Sequence, residues 1–402
     1  MSRAQFGRWA HTLLATAFAS LALPAAAQDN TAPVDMSVEE APDFDGTIST
    51  PTDAKRAVER IGAARVITDK ALALGFKGEM IVDMGGLVLV NAVSPDLARE
   101  GYGSLNAEPV HWPFASVTKQ KVAARLVSEL DASGLSLDTP ISEFVPRMSR
   151  FKGPVPTFRQ LLQHRSGLRN PNDTPEGENG WPDFYNKPGE YGLDWCMQER
   201  SAPPAKRWSY NNCDYIVLGA AFDELSFENW KYMMGQGVLD TGNGSANLVR
   251  QVAITTENVQ SFYKMASPEA EVLPAFEAAG ALGGGLMDIA FGNWALMNDY
   301  EKALERGGAK AAFWKGDPEL GYMALGHWVF SVQPEQCDAP IIVSQRKGEI
   351  GRYQLENIML PELKRSMVFA TAEAGTFEFG EIWAKQGFLY EAVGQLACGD
   401  TQ

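Results

Sequence analysis

Apolar and polar positions alternate with different periods along the chain, and the changes of period mark its elements. Positions from about Ala54 to Leu74 follow an amphipathic helix. Lys77 to Asn91 then reads as a hairpin, with Glu79-Met80-Ile81-Val82-Asp83 and Leu87-Val88-Leu89-Val90 on either side of Gly85-Gly86. Val122 to Leu130 returns to helical spacing. Thr157 to Leu168 reads as a short capped helix that stops at Gly167. Residues 170 to 190, rich in Asn, Asp, Pro, Gly and Glu, read as a long surface loop over or beside a cleft.

From Trp208 a polar stretch passes into the apolar helix that begins near Asn212. Helical spacing continues over much of the following hundred residues, including Ala278 to Leu304, with a break at Gly283-Gly284-Gly285. Strand character comes back late, at His327–Val332, Ile341–Ser344, Gln354–Leu360 and Arg365–Thr371. Strands early, helices in the middle and strands late predict an α/β chain. Its sheet-bearing lobe draws on about 56–115 and 320–390, with a helical lobe of about 120–320 inserted between them.

The first residues do not fit this scheme. Arg3 and Arg8 precede an apolar run from Leu13 to Leu23, and Ala25-Ala26-Ala27 follows, the order of a secretory signal cleaved after Ala27. Its apolar run is too short for a comfortable bilayer span, and nothing later resembles one. Residues 28 to 55 are acidic and rich in Pro, Ser and Thr, and read as a flexible linker ahead of a domain over 56–390. A periplasmic or secreted location is the expectation. The formal charge of −15 becomes about −17 once the two signal arginines are removed, so nucleic acid is not an expected partner. An even set of four cysteines (Cys196, Cys213, Cys337, Cys398) permits three disulfide pairings, and Cys196 with Cys213 would close a short loop.

Candidate chemistry centres on Ser116-Val117-Thr118-Lys119 at a helix start. Residues three apart share a helix face, so the Lys119 amine can reach the Ser116 hydroxyl as a base reaches a nucleophile. Spacing alone does not select this pair, since Ser149/Lys152, Ser261/Lys264 and Ser344/Lys347 repeat it. Context does: Ser116 follows the apolar run His111-Trp112-Pro113-Phe114-Ala115 and opens a buried helix. Two further segments follow in order, Leu161-Leu162-Gln163-His164-Arg165-Ser166-Gly167-Leu168 and Tyr210-Asn211-Asn212, the chain's single Tyr-x-Asn. A fourth is Arg346-Lys347-Gly348-Glu349.

Together the four segments resemble the serine β-lactamase and penicillin-binding-protein superfamily, in particular class C-like serine hydrolases and D-alanyl-D-alanine carboxypeptidases, over roughly residues 58–385. The resemblance implies a β-lactamase/transpeptidase-like fold, an antiparallel sheet flanked by helices with an all-helical lobe inserted. It implies that Ser116 attacks an ester or amide carbonyl to give an acyl-enzyme, and that Lys119 and Tyr210 share the proton work. Both have ordinary pKa values near 10, so the base must fall by roughly 3 pH units, about 4 kcal/mol. Crowded positive charge, including Arg346, is the expected cause.

By the same resemblance Asn212 orients Lys119 and meets the substrate amide oxygen, and the oxyanion meets the N–H groups of Ser116 and Glu349. Gly348 keeps the strand edge clear for substrate. Arg346 stands where Lys or His is usual and Lys347 where Thr is usual, a pair that hints at an anionic substrate. His164 is expected to be structural. With no Gly-x-Ser-x-Gly, no His-x-His or His-Glu-x-x-His and no Gly-rich phosphate loop, neither cofactor nor metal is expected. The expected partner is a small ester, amide or peptide substrate. The altered strand motif also motivates a rival, a non-catalytic module that binds peptidoglycan fragments or a protein partner.

Overall fold

The computed structural model describes residues 50–86, 89–103, 109–150, 154–198, 207–226, 230–231, 238–239, 247–248 and 251–399. The signal read at 1–27, most of the linker at 28–55, and Leu87-Val88 of the hairpin lie outside them. Helix α1 spans Pro51–Ala73, beginning inside the stretch read as linker because Pro51 suits a first helical turn. Strands β1 (Glu79–Asp83) and β2 (Leu89–Val93) form the hairpin. The short β3 (Trp112–Pro113) leads into helix α2 (Val117–Ala132).

Helix α3 (Phe158–Leu162) starts on a capping box between Thr157 and Gln160. It ends well before Gly167, because His164 itself takes the left-handed turn at φ 56°. Helix α4 (Asp183–Asn186) lies within the stretch read as surface loop, and it buries Phe184 and Tyr185. Helix α5 (Asn212–Ser226) follows, then β4 (Val252–Ala253), β5 (Leu282–Gly284) and helix α6 (Leu286–Asn298). The chain closes with β6 (Trp328–Val332), β7 (Ile341–Ile350), β8 (Tyr353–Leu360), β9 (Arg365–Thr371) and helix α7 (Gly387–Cys398).

Six strands make one antiparallel sheet in the order β2-β1-β9-β8-β7-β6, so the two ends of the chain build one sheet, joined where β1 pairs with β9. Alternate side chains enter two separate cores, as the two-residue period of a strand requires. Ile81, Leu355, Met359, Val368 and Ala370 face a core completed by α2, α5 and α6. Met80, Val82, Ile358, Leu360, Met367 and Phe369 face the other, closed by α1 and α7.

The inserted lobe is mostly helical but is not all-helical. Gly283-Gly284 breaks the helical pattern as a strand: it belongs to β5, which sits between β3 and β4 in a small antiparallel sheet. A β-carbon on Gly283 would lie 2.1 Å from the Phe262 ring and 2.8 Å from the Trp112 carbonyl oxygen, so close backbone approach explains the glycine. Disulfides join Cys196 to Cys213 and Cys337 to Cys398, which selects one of the three pairings. Among the described residues no helix is long and apolar enough to cross a membrane. Nor does any group of three or more His, Cys, Asp or Glu among them form a candidate metal site.

Candidate active site

Ser116 sits where three elements meet. The Phe114 N–H donates to Leu282 O at 2.8 Å, tying the end of β3 to β5. Ala115 then takes φ 45°, an uncommon backbone for a residue with a side chain, and swings the chain into α2. Ser116 precedes the first helical residue, yet its hydroxyl makes no cap bond and is left for other partners. Gly348 of β7 packs under this turn. A β-carbon there would lie 2.4 Å from Phe114 O and 3.1 Å from the Ser116 nitrogen. The glycine therefore makes room for the serine turn itself, not for a substrate lying along the strand.

Three proton-carrying groups converge on that turn. Ser116 Oγ and Tyr210 Oη lie 2.5 Å apart, and Lys119 Nζ donates to Ser116 Oγ at 3.3 Å. Lys119 also donates to Asn212 Oδ1 and Ala279 O, each at 2.7 Å, and is 0% exposed. Three acceptors fix its amine. Burial pulls Lys119 down to about 8, with Arg346 adding to the effect and the Tyr210 phenol opposing it. Burial alone would raise Tyr210. The cations of Lys119 and Arg346 and the hydrogen bonds from Lys119 and Ser116 outweigh it and hold the phenol at about 8. The two groups titrate as a coupled pair.

Arg346 supplies much of that field from inside the protein. Its Nε donates to Ser116 O at 2.9 Å and its Nη2 to Tyr210 Oη at 3.2 Å, with the residue 1% exposed. The next position behaves differently. Side chains alternate along β7, so Arg346, Gly348 and Ile350 face Ser116, whereas Lys347 and Glu349 project from the opposite face and pair with each other at 2.8 Å. The Lys347 side chain is therefore not gathered with the others, which removes the hint of an anionic substrate. Strand β6 pairs with β7 only as far as Trp328 opposite Gln345. On that side Arg346–Ile350 has no strand partner among the described residues.

The outer supports were only partly visible in the chain. His164 Nδ1 accepts the Asn211 N–H at 3.3 Å, and its ring lies 4.7 Å from that of Tyr210. Burial, reinforced by Lys119 and Arg346, holds this imidazole neutral, consistent with a structural role. Behind it Asp214, pushed well up by burial, accepts from Ser166. Tyr185 was missed: its hydroxyl accepts from Asn212 Nδ2 at 2.7 Å. Its stretch has no period, so only the aromatic cluster Trp181, Phe184 and Tyr185 in a mostly polar stretch could have drawn attention to it.

Comparison with known proteins bears on the fold. The Beta-lactamase family model matches residues 110–290, a span that holds Ser116, Lys119, Tyr210 and Asn212 and stops short of Arg346. A D-aminopeptidase of Cereibacter sphaeroides is 30% identical over 108 residues, covering 26% of this chain and 20% of that protein. The chain thus matches about a fifth of the length of these curated relatives. A D-stereospecific amidohydrolase from Streptomyces sp. superposes with a TM-score of 0.56 at 16% identity, over 84% of this chain and 98% of that one. A beta-lactamase/D-alanine carboxypeptidase from Yersinia pestis, complexed with citrate, gives 0.58 at 17% identity over 85% and 99%. The fold is the β-lactamase/transpeptidase-like fold, and the resemblance carried by the four segments is borne out.

Proposed function

We propose that the protein is an exported serine hydrolase that cleaves a small ester or amide through an acyl-enzyme on Ser116. One observation carries the reading: Ser116 Oγ lies 2.5 Å from Tyr210 Oη and 3.3 Å from Lys119 Nζ. A serine hydroxyl needs a partner to take its proton, and here two such groups are tuned toward neutrality.

In this reading the Ser116 proton passes to the Tyr210–Lys119 pair as Oγ bonds to the carbonyl carbon. The oxyanion is met by the N–H groups of Ser116 and Glu349, with the N-terminal end of the 16-residue helix α2 adding a favourable dipole. The pair returns the proton to the leaving amine or alcohol. Water then clears the acyl group by the same steps in reverse. The unpaired Arg346–Ile350 edge is suited to an extended substrate that hydrogen-bonds along it. The names of its relatives favour amides and peptides containing D-residues as the first substrates to try. Two disulfides support an oxidising compartment and hence the secretory signal.

The test is intact-mass analysis after treatment with a fluorophosphonate, followed by peptide mapping, beside turnover of acyl esters, D-residue amides and a chromogenic β-lactam. A single adduct on Ser116, absent in Ser116→Ala, with turnover of at least one substrate, is the expected result. No adduct and no turnover would instead favour a non-catalytic binding module.

A further inference from the structure

Resting on that reading, we propose that Tyr185 is a positioning residue: it anchors the far end of the Asn212 amide and so holds the carbonyl end against Lys119. The chain of contacts is short. Lys119 Nζ donates to Asn212 Oδ1 at 2.7 Å, and the other end of the same amide donates from Nδ2 to Tyr185 Oη, also at 2.7 Å. An amide turned over would aim N–H donors at an ammonium that can only donate, so Lys119 sets the orientation and the Tyr185 hydroxyl, by accepting at the far end, holds the amide in place.

The phenol is itself held. Tyr185 is 1% exposed, and its ring stacks on that of Phe276 with centroids 3.9 Å apart and planes within 4°. Burial raises its own titration far above neutrality, so it remains a hydroxyl. Phe276 belongs to the turn Leu273–Ala279, in which Glu277 takes φ 46°, and the last residue of that turn presents the Ala279 carbonyl that also accepts from Lys119. One turn thus grips Lys119 twice, directly through Ala279 and indirectly through Phe276, Tyr185 and Asn212. Tyr185 feels the charge of Tyr210 through space, but its hydrogen bond is to the Asn212 amide, so the positioning runs through that amide.

Tyr185→Phe keeps the ring stack and removes only the hydroxyl. Three measurements on the full chain test the proposal: the rate of Ser116 labelling by a fluorophosphonate across pH, the titration of Lys119 followed by NMR of isotope-labelled lysine, and thermal unfolding. Labelling is expected to slow about tenfold, one lost hydrogen bond's worth. The Lys119 midpoint should fall while the unfolding temperature holds. In an Asn212→Ala background Tyr185→Phe should add nothing further. Phe276→Leu, which keeps the phenol and loosens its support, should give a smaller change of the same kind. An unmoved or raised Lys119 midpoint, or an equal fold-loss with and without Asn212, overturns the proposal. Wild-type protein that takes no label sinks the hydrolase reading instead, and the Lys119 titration still decides the role of Tyr185.

Discussion

Helix α2 carries two buried lysines two residues apart, and they show what burial does and what it leaves undone. Lys119 and Lys121 are 0% and 5% exposed, and burial drags both down, to about 8 and about 7. Lys119 meets a serine hydroxyl, an asparagine carbonyl and a main-chain carbonyl beside a phenol. Lys121, on another side of the helix, donates to Ile289 O and Asn293 Oδ1, each at 3.3 Å, and feels the charge of the Asp288 carboxylate. Asn293 joins Asn357 and Gln120 in a buried polar network. A depressed lysine is therefore not in itself a base for catalysis. What separates the two is a hydroxyl within reach and an arginine that tunes its neighbours.

The sharpest way to break this contrast is the nucleophile. Ser116→Ala is expected to remove the covalent label and to lower kcat by at least about 10⁴-fold, with Lys119 and Lys121 still buried. Next comes the pair itself. Lys119→Met should cost on the order of 10³-fold in kcat/KM, whereas Lys121→Met should leave the kinetics within about twofold. Comparable losses for both would mean that the helix, and not the company of Lys119, carries activity.

A smaller effect sharpens the role of Arg346. Its charge holds both Tyr210 and Lys119 down, so Arg346→Gln releases both upward. The acidic limb of the pH–rate profile should then move to higher pH whichever of the two is the base, with a roughly tenfold or greater loss near neutrality. A limb that stays in place would show that the guanidinium is only a strut between Ser116 O and Tyr210 Oη.

The smallest expected effect is on stability. The folded-state midpoint of Lys121, about 7, lies below that of an unfolded lysine, near 10.4. Between those values the unfolded chain binds the extra proton, so stability rises with pH across that window and is lost as pH falls toward 7. Lys119 and Tyr210 carry slopes of the same sign above about 8. Thermal unfolding of Lys121→Met from pH 7 to 10 should show a flatter rise than the wild type; an unchanged slope would refute the buried, depressed state of Lys121.

Legibility followed the range over which each contact acts. Ser116 and Lys119 could be read together because a helix places residues three apart on one face. Lys347 illustrates the failure. A two-residue period places Arg346 and Gly348 on one face and Lys347 on the other, but which face receives Ser116 depends on α2 packing beneath β7. The helix end at His164 escaped notice because a buried bond from Asn211, not a glycine, sustains its left-handed turn. Tyr185 was hidden for a further reason. It sits on a four-residue helix whose polar surroundings have no period, and its burial comes from Phe276, ninety-one positions along the chain.

From the order of residues alone come the sheet built from both ends of the chain, the helical insertion and the four segments of the candidate site, because periodicity and short spacings are properties of neighbours along the backbone. Tertiary packing alone decided that Tyr210 reaches Ser116, that Arg346 turns inward while Lys347 turns away, and that Tyr185 stands behind Asn212. Those outcomes depend on hydrogen bonds and burial between segments tens to hundreds of residues apart, and no local pattern encodes the distance between them.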